Sequence, residues 1–298
     1  MEPNRFKQSR ISFVLLCFVL LALSASVQLH AQQDNTNLVE SIKAKAERGD
    51  TAAQCMLGIF YFLGTNVDQN VDEAAKWYRK AAESGNAEAQ YFLGDCYHYG
   101  TGVTQSWSEA FKWYRKAADQ GSVNAELAVG SSYFAGDGVE TNMEEGLKWW
   151  RLAANQDDSY AEAKLGDCYY YGNALVKDYV EAAKWYRKAA EQGDTPVAQY
   201  SLGICYFNGY GVAKDYIEAY KWWLLAAGRG DELAKNGVAH IELLMTRGQI
   251  VEGQKLAREF KPHKVSSFGN SILPDNPTAS GTGFFITDDG YLISNYLC

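Results

Sequence analysis

The segment Gly94–Gly130, GDCYHYGTGVTQSWSEAFKWYRKAADQGSVNAELAVG, is one period of an internal repeat that decides the fold. Its glycine, which is followed three residues later by a tyrosine, and its tryptophan recur every 36 residues, with one step of 37 near Pro196. The glycines are Gly58, Gly94, Gly130, Gly166 and Gly203, and the tryptophans are Trp77, Trp113, Trp149, Trp185 and Trp222. Self-similarity at this period predicts five helix-turn-helix units stacked side by side.

Helix start and stop signals fall at the same places in every unit. The second helix opens with a capping residue and a glutamate three residues later, as in Ser106 and Glu109, and we expect the glutamate to reach back to the cap. Glycines in the left-handed conformation are expected to end four of the five second helices. Asp157, in repeat three, is the one departure from this pattern. The predicted caps of the following first helices are Asn86, Ser122, Asp158, Asp194 and Asp231.

The residues that every unit shares are small ones beside bulky ones, such as Gly94 beside Leu93 and Tyr97. At helical spacing this pattern predicts packing of helix on helix, not a ligand box. Because each helix pair buries one face on its neighbours, the ends of the stack need covers. We assign residues 32–50 to an N-terminal capping helix and residues 231–260 to a closing helix pair.

The repeat resembles the Sel-one-like repeat, a relative of the tetratricopeptide repeat, through five copies of G-x-x-Y, G-x-G-V, K-W-Y and A-A-x-x-G over residues 51–230. The resemblance implies an all-α fold, a right-handed α-solenoid. Asn66 and Ala174 depart from it, because they replace the second glycine of the G-x-G turn. If that position is left-handed, Ala174 costs about 1 kcal/mol there.

The N-terminus predicts export. Three basic residues precede an apolar core from Ile11 to Leu23, which is typical of a signal peptide over residues 1–31 and shorter than the ~20 residues of a spanning helix. Leu29 is large for its place before the cut, so a membrane anchor by an uncleaved segment is the alternative. The net charge of -8 argues against a nucleic-acid partner. We expect a periplasmic or secreted monomer.

The sequence predicts no catalytic, cofactor or metal site in the repeats. No nucleotide loop or zinc spacing is present, and no nucleophile comes with a base and an orienting group. Cys96, Cys168 and Cys205 share one place in three repeats. Neighbouring helices lie about 8–10 Å apart, whereas a disulfide needs Cα atoms within about 7 Å, so buried thiols are expected and a Cys168–Cys205 bridge is the alternative.

By similarity to tetratricopeptide repeats, the first helices line a groove that would bind a protein or peptide of the cell envelope. The groove positions vary between repeats while the packing positions do not, as expected where a repeated scaffold recognises a ligand. The alternative is that tyrosine is simply frequent here. The candidate groove residues are Glu88, Tyr91, Asp95, His98, Tyr99, Tyr160, Asp167, Tyr170, Tyr171, Tyr200, Phe207 and Asn208.

The C-terminus, Ser280–Cys298, reads SGTGFFITDDGYLISNYLC and predicts a short β-hairpin stub after a linker at residues 261–280. Residues 281–298 resemble the start of a trypsin-like serine protease domain of the HtrA/Deg type. In that family a catalytic histidine follows the N-x pair, but here Leu297 occupies its place. The resemblance therefore implies no catalysis by this chain, and a truncated form of a repeat-bearing serine endopeptidase is the alternative function.

Overall fold

The computed structural model describes residues 37–263, and all regular secondary structure in this range is helical. The contacts divide the chain at Gln156 and Asp157 into two compact units. The predicted signal peptide at residues 1–31 and the predicted hairpin at residues 281–298 lie outside the described residues. For the described part, the predicted all-α class with helix-turn-helix repeats of the α-solenoid kind is confirmed.

The first unit holds the leading helix and three helix pairs. Its helices are α1 (37–47), α2 (Thr51–Leu63), α3 (Val71–Glu83), α4 (Ala87–Tyr99), α5 (Trp107–Ala118), α6 (Val123–Ala135) and α7 (Met143–Asn155). The second unit holds two further pairs and a closing pair. Its helices are α8 (Ser159–Tyr171), α9 (Tyr179–Gln192), α10 (Pro196–Asn208), α11 (Tyr216–Gly228), α12 (Glu232–Glu242) and α13 (Arg247–Glu259).

The predicted N-caps of the second helices are confirmed, but the glutamates act differently. Ser106 Oγ accepts from the amide of Glu109, as a capping residue should. The Glu109 side chain does not reach back; Oε1 pairs instead with Lys112 Nζ at 2.7 Å. A charge-assisted bond to a lysine three residues ahead is stronger than one to a neutral amide, which explains the choice.

One predicted cap of a first helix is wrong. α10 begins at Pro196 with Thr195 as its N-cap, so Asp194 lies one residue too early and instead accepts a hydrogen bond from the Thr195 hydroxyl. The shift follows from the 37-residue step, because the added proline occupies the first helical position, where its missing N–H is harmless. Ser122 does precede α6, but its side chain makes no capping bond.

The left-handed positions follow the sequence prediction. The glycines predicted to end second helices, which are Gly85, Gly121, Gly193 and Gly230, all have positive φ, and Asp157 has φ +60°. Ala174 also has φ +60°, so the strained alanine expected from the broken G-x-G turn is present. A Cβ on a left-handed residue crowds its own carbonyl, which makes Ala174 a local weak point of the second unit.

We call the glycine that recurs in each of the five repeats the marker glycine. Each marker glycine lies directly beneath an aromatic ring of the second helix of its repeat. A Cβ built on Gly94 would lie 2.5 Å from the Tyr114 ring, and one on Gly166 would lie 2.6 Å from Tyr186. The remaining pairs are Gly58 with Tyr78, Gly130 with Trp150, and Gly203 with Trp223. No side chain fits at such distances, so glycine sets how closely the two helices of a repeat approach.

The closing pair α12 and α13 covers the end of the second unit. Ile241 and Ile250 join the core around Tyr220. A Cβ built on Gly253 would lie 2.6 Å from the Tyr220 ring. Beyond α13, the Phe260 ring packs against Trp222 with centroids 5.4 Å apart. The pair uses the same ring-on-glycine contact as the repeats, although it lacks their sequence landmarks.

Candidate functional site

The candidate groove residues of the first unit all lie on α4. Tyr99 is 71% exposed and Glu88 is exposed, whereas Tyr91, Asp95 and His98 are half-buried. These residues recur at steps of three, four and seven, so they lie along one side of the helix. The structure therefore places this part of the predicted set on one accessible strip.

Asp95 is held by the second helix of its own repeat. Its Oδ1 accepts a hydrogen bond of 2.7 Å from the Tyr114 hydroxyl, and the Tyr114 ring covers the preceding Gly94. Burial raises the pKa of Asp95 to about 6, while hydrogen bonds from Tyr114 and Tyr91 and the charge of His98 oppose that rise. Sequence reasoning placed Asp95 on the binding face but did not find its tyrosine partner.

The exposed Tyr99 ring packs against the imidazole ring of His98. His98 and Tyr99 meet edge to face, with centroids 4.6 Å apart at 76°. Burial and the charge of Asp95 raise the pKa of the Tyr99 phenol. An aromatic group fixed in this way loses little conformational entropy when it contacts a ligand.

The second unit repeats this arrangement on α8. Asp167 Oδ1 accepts from the Tyr186 hydroxyl at 2.8 Å, and Tyr170 and Tyr171 meet edge to face at 4.9 Å and 76°. Tyr171 is 62% exposed. Burial raises the pKa of Asp167, and Lys164 opposes this because its Nζ lies 3.9 Å from Oδ2. Lys164 Nζ also lies 5.0 Å from the centre of the Tyr160 ring.

The three candidates on α10 are more involved in packing. Phe207 contacts the rings of Tyr216 and Trp223 with centroids 5.3 and 5.4 Å away, and Tyr200 packs on Trp223 at 6.2 Å. The Asn208 amide donates to the Ile204 carbonyl. Tyr200 and Phe207 are half-buried, so only part of each aromatic ring is accessible to a ligand.

The sequence analysis named Tyr160 but missed the apolar row in the second unit to which it belongs. Tyr160, Val197 and Leu233 are each the second residue of a first helix or its counterpart, in α8, α10 and α12, and they are 48, 52 and 60% exposed. The corresponding residues of the first unit are Ala52, Glu88 and Asn124, which are smaller or polar. Their equal place in successive repeats was the signal that could have revealed them.

The cysteines offer no reactive group on this surface. Cys55, Cys96, Cys168 and Cys205 are buried thiols, so the alternative Cys168–Cys205 disulfide is not formed. Burial raises the pKa of Cys96 and of Cys205 to about 12, which keeps both protonated. Between residues 37 and 263, no group of three or more His, Cys, Asp or Glu could hold a metal ion.

The length and hydropathy of the described helices show whether any of them could span a membrane. None of those between residues 37 and 263 is both long and apolar enough to cross a bilayer.

Comparison with known families identifies the repeat. Five segments match the Sel1 repeat, at residues 51–86, 87–122, 123–158, 159–194 and 196–231. The chain belongs to the Sel1 repeat family. The matched segments begin where α2, α4, α6, α8 and α10 begin, so one family repeat corresponds to one helix pair with the ring-on-glycine contact.

Two solved Sel1-type structures are similar to more than two thirds of this chain. One is the protective antigen c5321 of uropathogenic Escherichia coli, described as having an SLR fold, at 32% identity and a TM-score of 0.67. The alignment covers 75% of this chain and 48% of c5321, so the chain spans about half of that relative. The other is a Sel1 repeat protein from Oxalobacter formigenes, at 33% identity and a TM-score of 0.64, with 78% of this chain and 98% of that one covered.

A shorter similarity links the chain to a protein with a named ligand. The secretory immunoglobulin A-binding protein EsiB of Escherichia coli is 42% identical over 67 residues. That match covers 22% of this chain and 13% of EsiB. The chain therefore matches only a small part of EsiB.

Proposed function

We propose that this protein is an exported scaffold that binds a protein or peptide segment of the cell envelope on the first-helix face of its Sel1 repeats, without catalysis of its own. The observation that carries the proposal is the exposure of Tyr99 on a first helix of the first unit, and of Tyr160 and Tyr171 on a first helix of the second unit. The packing positions stay constant between repeats, whereas these positions vary. Tyrosine gives large contact area at low side-chain entropy, which suits recognition.

The similarity to EsiB supports the same class of function, since that relative is named for binding another protein. Export rests on the signal-like residues 1–31, with an uncleaved anchor as the alternative. The proposed layout is a signal peptide, a capping helix at 32–50, repeats at 51–230, closing helices at 231–260 and a linker at 261–280. A monomer is proposed, with neither cofactor nor nucleic acid involved.

The test is an unbiased peptide selection. The full-length chain, purified from the periplasm of a bacterial host, is immobilised and panned with a random twelve-residue phage library. We expect enriched peptides that bind the wild type and bind the Tyr99→Ala/Tyr171→Ala double variant at least tenfold more weakly. Trp107→Ala is the matched control, because Trp107 is an exposed aromatic residue on the second helix α5. Failure to enrich any peptide would overturn the proposal. So would enriched peptides that bind the Tyr99→Ala/Tyr171→Ala double variant as tightly as the Trp107→Ala variant.

The second candidate function is that of a repeat-bearing trypsin-like serine endopeptidase. Its support is the resemblance of residues 281–298 to the start of such a domain, with Leu297 in the place of the catalytic histidine. The coding DNA after Cys298 decides between the two. A shifted frame that encodes the missing histidine and a later serine motif favours this candidate, and casein hydrolysis blocked by a serine-protease inhibitor would overturn the absence of catalysis.

A further inference from the structure

Repeats two and four carry the same cluster on their first helices. The sequence is GDCYHY at residues 94–99 and GDCYYY at residues 166–171. In both, the aspartate accepts from a tyrosine of the second helix, at 2.7 and 2.8 Å, and the last tyrosine stands edge to face against the preceding ring at 76°. One cluster lies in each compact unit.

The aspartate and the exposed tyrosine occur together or not at all. In the odd-numbered repeats the place of the aspartate is taken by Ile59, Ser131 and Ile204, and the place of the exposed tyrosine by Leu63, Ala135 and Asn208. The hydrogen bond from Tyr114 to Asp95 explains why an acid is tolerated beside Gly94. It does not explain why an exposed phenol accompanies the acid, because Tyr99 adds little to the core.

The chain itself shows which group suits the aspartate of this pair when a tyrosine ring lies nearby, although the ring is that of Tyr160 and not of Tyr171. In the second unit, Lys164 Nζ lies 3.9 Å from Asp167 Oδ2 and 5.0 Å from the centre of the Tyr160 ring. An ammonium group there gains from the carboxylate and from the negative face of a tyrosine ring together. In the first unit the place of Lys164 is taken by Phe92, so no lysine of α4 fills the corresponding spot.

We propose that Asp95 with Tyr99, and Asp167 with Tyr171, form two equivalent subsites that each bind one arginine or lysine side chain of a protein partner. This inference rests on the proposed function and names the partner's chemistry. A carboxylate has about four acceptor sites, so the bonds from Tyr114 and Tyr91 still leave Asp95 able to accept from a guanidinium. The net charge of -8 favours approach of a basic segment. Lys164 competes at the second subsite, so the first binds more tightly.

The probe is a fluorescein-labelled twelve-residue Gly-Ser peptide with three arginines at alternate positions, titrated against the full-length protein at about 150 mM salt. The control peptide replaces arginine with citrulline, which has nearly the same shape and no charge. Asp95→Asn should weaken binding of the arginine peptide about tenfold, whereas Glu83→Gln should weaken it less than threefold. Both substitutions remove one charge from the first unit, but Glu83 is an exposed residue of the second helix α3 and lies outside the candidate groove. Lys164→Met should strengthen binding a few-fold by opening the second subsite.

If Asp95→Asn fails to fold, Tyr99→Ala provides a second test, because Tyr99 is 71% exposed and its replacement should not disturb the core. Tyr99→Ala should weaken binding of the arginine peptide about fivefold. Equal losses from Asp95→Asn and Glu83→Gln, or equal binding of the citrulline peptide, would overturn the proposal. If library peptides bind the wild type while this arginine dependence is missing, the proposed function stands and this inference fails. If the library yields nothing, both fail.

Discussion

The hydroxyl of Tyr114 donates to Asp95 Oδ1 at 2.7 Å while the ring of Tyr114 covers Gly94. One second-helix side chain thereby packs against the glycine and satisfies the acid beside it. Repeats three and five use tryptophan at this place, and the indole nitrogens of Trp150 and Trp223 donate to the carbonyls of Leu127 and Tyr200. In repeats two to five, the ring over the marker glycine therefore also donates a hydrogen bond to the first helix.

Tyr114→Phe should lower the free energy of unfolding by about 1–2 kcal/mol, because the ring remains but the half-buried Asp95 carboxylate loses one of its hydrogen-bond donors. The matched control is Tyr78→Phe. The Tyr78 ring also covers a glycine, Gly58, but the next residue is Ile59 and not an acid. We expect a loss below about 0.5 kcal/mol for Tyr78→Phe in urea titrations. Equal losses would show that the Asp95 bond contributes nothing.

Gly166→Ala should destabilise the second unit by about 1–3 kcal/mol, since its Cβ would meet the Tyr186 ring at 2.6 Å and force it from Asp167. Gly248 in α13 is the control, because a Cβ there has no neighbour within 4 Å. Gly248→Ala should raise stability by up to about 1 kcal/mol through helix propensity. Thermal unfolding followed by circular dichroism measures both, and a stabilising Gly166→Ala would contradict the packing argument.

Ala174→Gly should stabilise the protein by about 0.5–1 kcal/mol. Glycine removes the left-handed penalty at φ +60°, and this gain exceeds the added entropy of the unfolded chain. Asn66 has the same φ in the corresponding turn, but asparagine tolerates it, so Asn66→Gly should change stability by less than about 0.3 kcal/mol. Unfolding midpoints in urea compare the two. An Ala174→Gly variant no more stable than Asn66→Gly would show that the turn is unstrained.

The sequence predicted the helices well because their signals are local. Caps such as Asn86 and Asp231 bond to amides three residues ahead, and left-handed ends such as Gly121 and Asp157 depend on one residue's own backbone. The exception, Asp194, arose where an extra proline shifted the helix start by one residue. Such a shift changes which residue caps the helix without altering the repeat.

The candidate site was harder to predict because its contacts are not local. Which ring covers Gly94 depends on how two helices meet, and the sequence pattern did not identify Tyr114 as that ring. The face of α4 could be derived from helical spacing. The bond between Asp95 and a tyrosine 19 residues away could not, because no periodic pattern marks it.

A buried acid replaces a glutamine in the second unit. Glu162 is fully buried, and Lys188 Nζ lies 2.8 Å from its Oε1, while Gln192 donates to its Oε2 at 2.9 Å. The corresponding residues of repeats one, two and five are Gln54, Gln90 and Gln199, which are also buried. Burial raises the pKa of Glu162 to about 6 from an ordinary 4.5, although Lys188 and Gln192 oppose the rise.

Because this pKa is higher in the folded protein than in the unfolded chain, the folded protein holds the proton more tightly, and stability falls as pH rises from about 4.5 to 6. The loss is about 2 kcal/mol and is complete above that window. Glu162→Gln should therefore be about 1–2 kcal/mol more stable than the wild type at pH 7.5 and no more stable at pH 4, in urea titrations at both pH values. The reciprocal Gln199→Glu should be destabilised at pH 7.5 and recover at pH 4, since Leu225 stands in the place of Lys188. A Glu162→Gln variant less stable than the wild type at pH 7.5 would mean that the ion pair with Lys188 outweighs the cost of burying the charge.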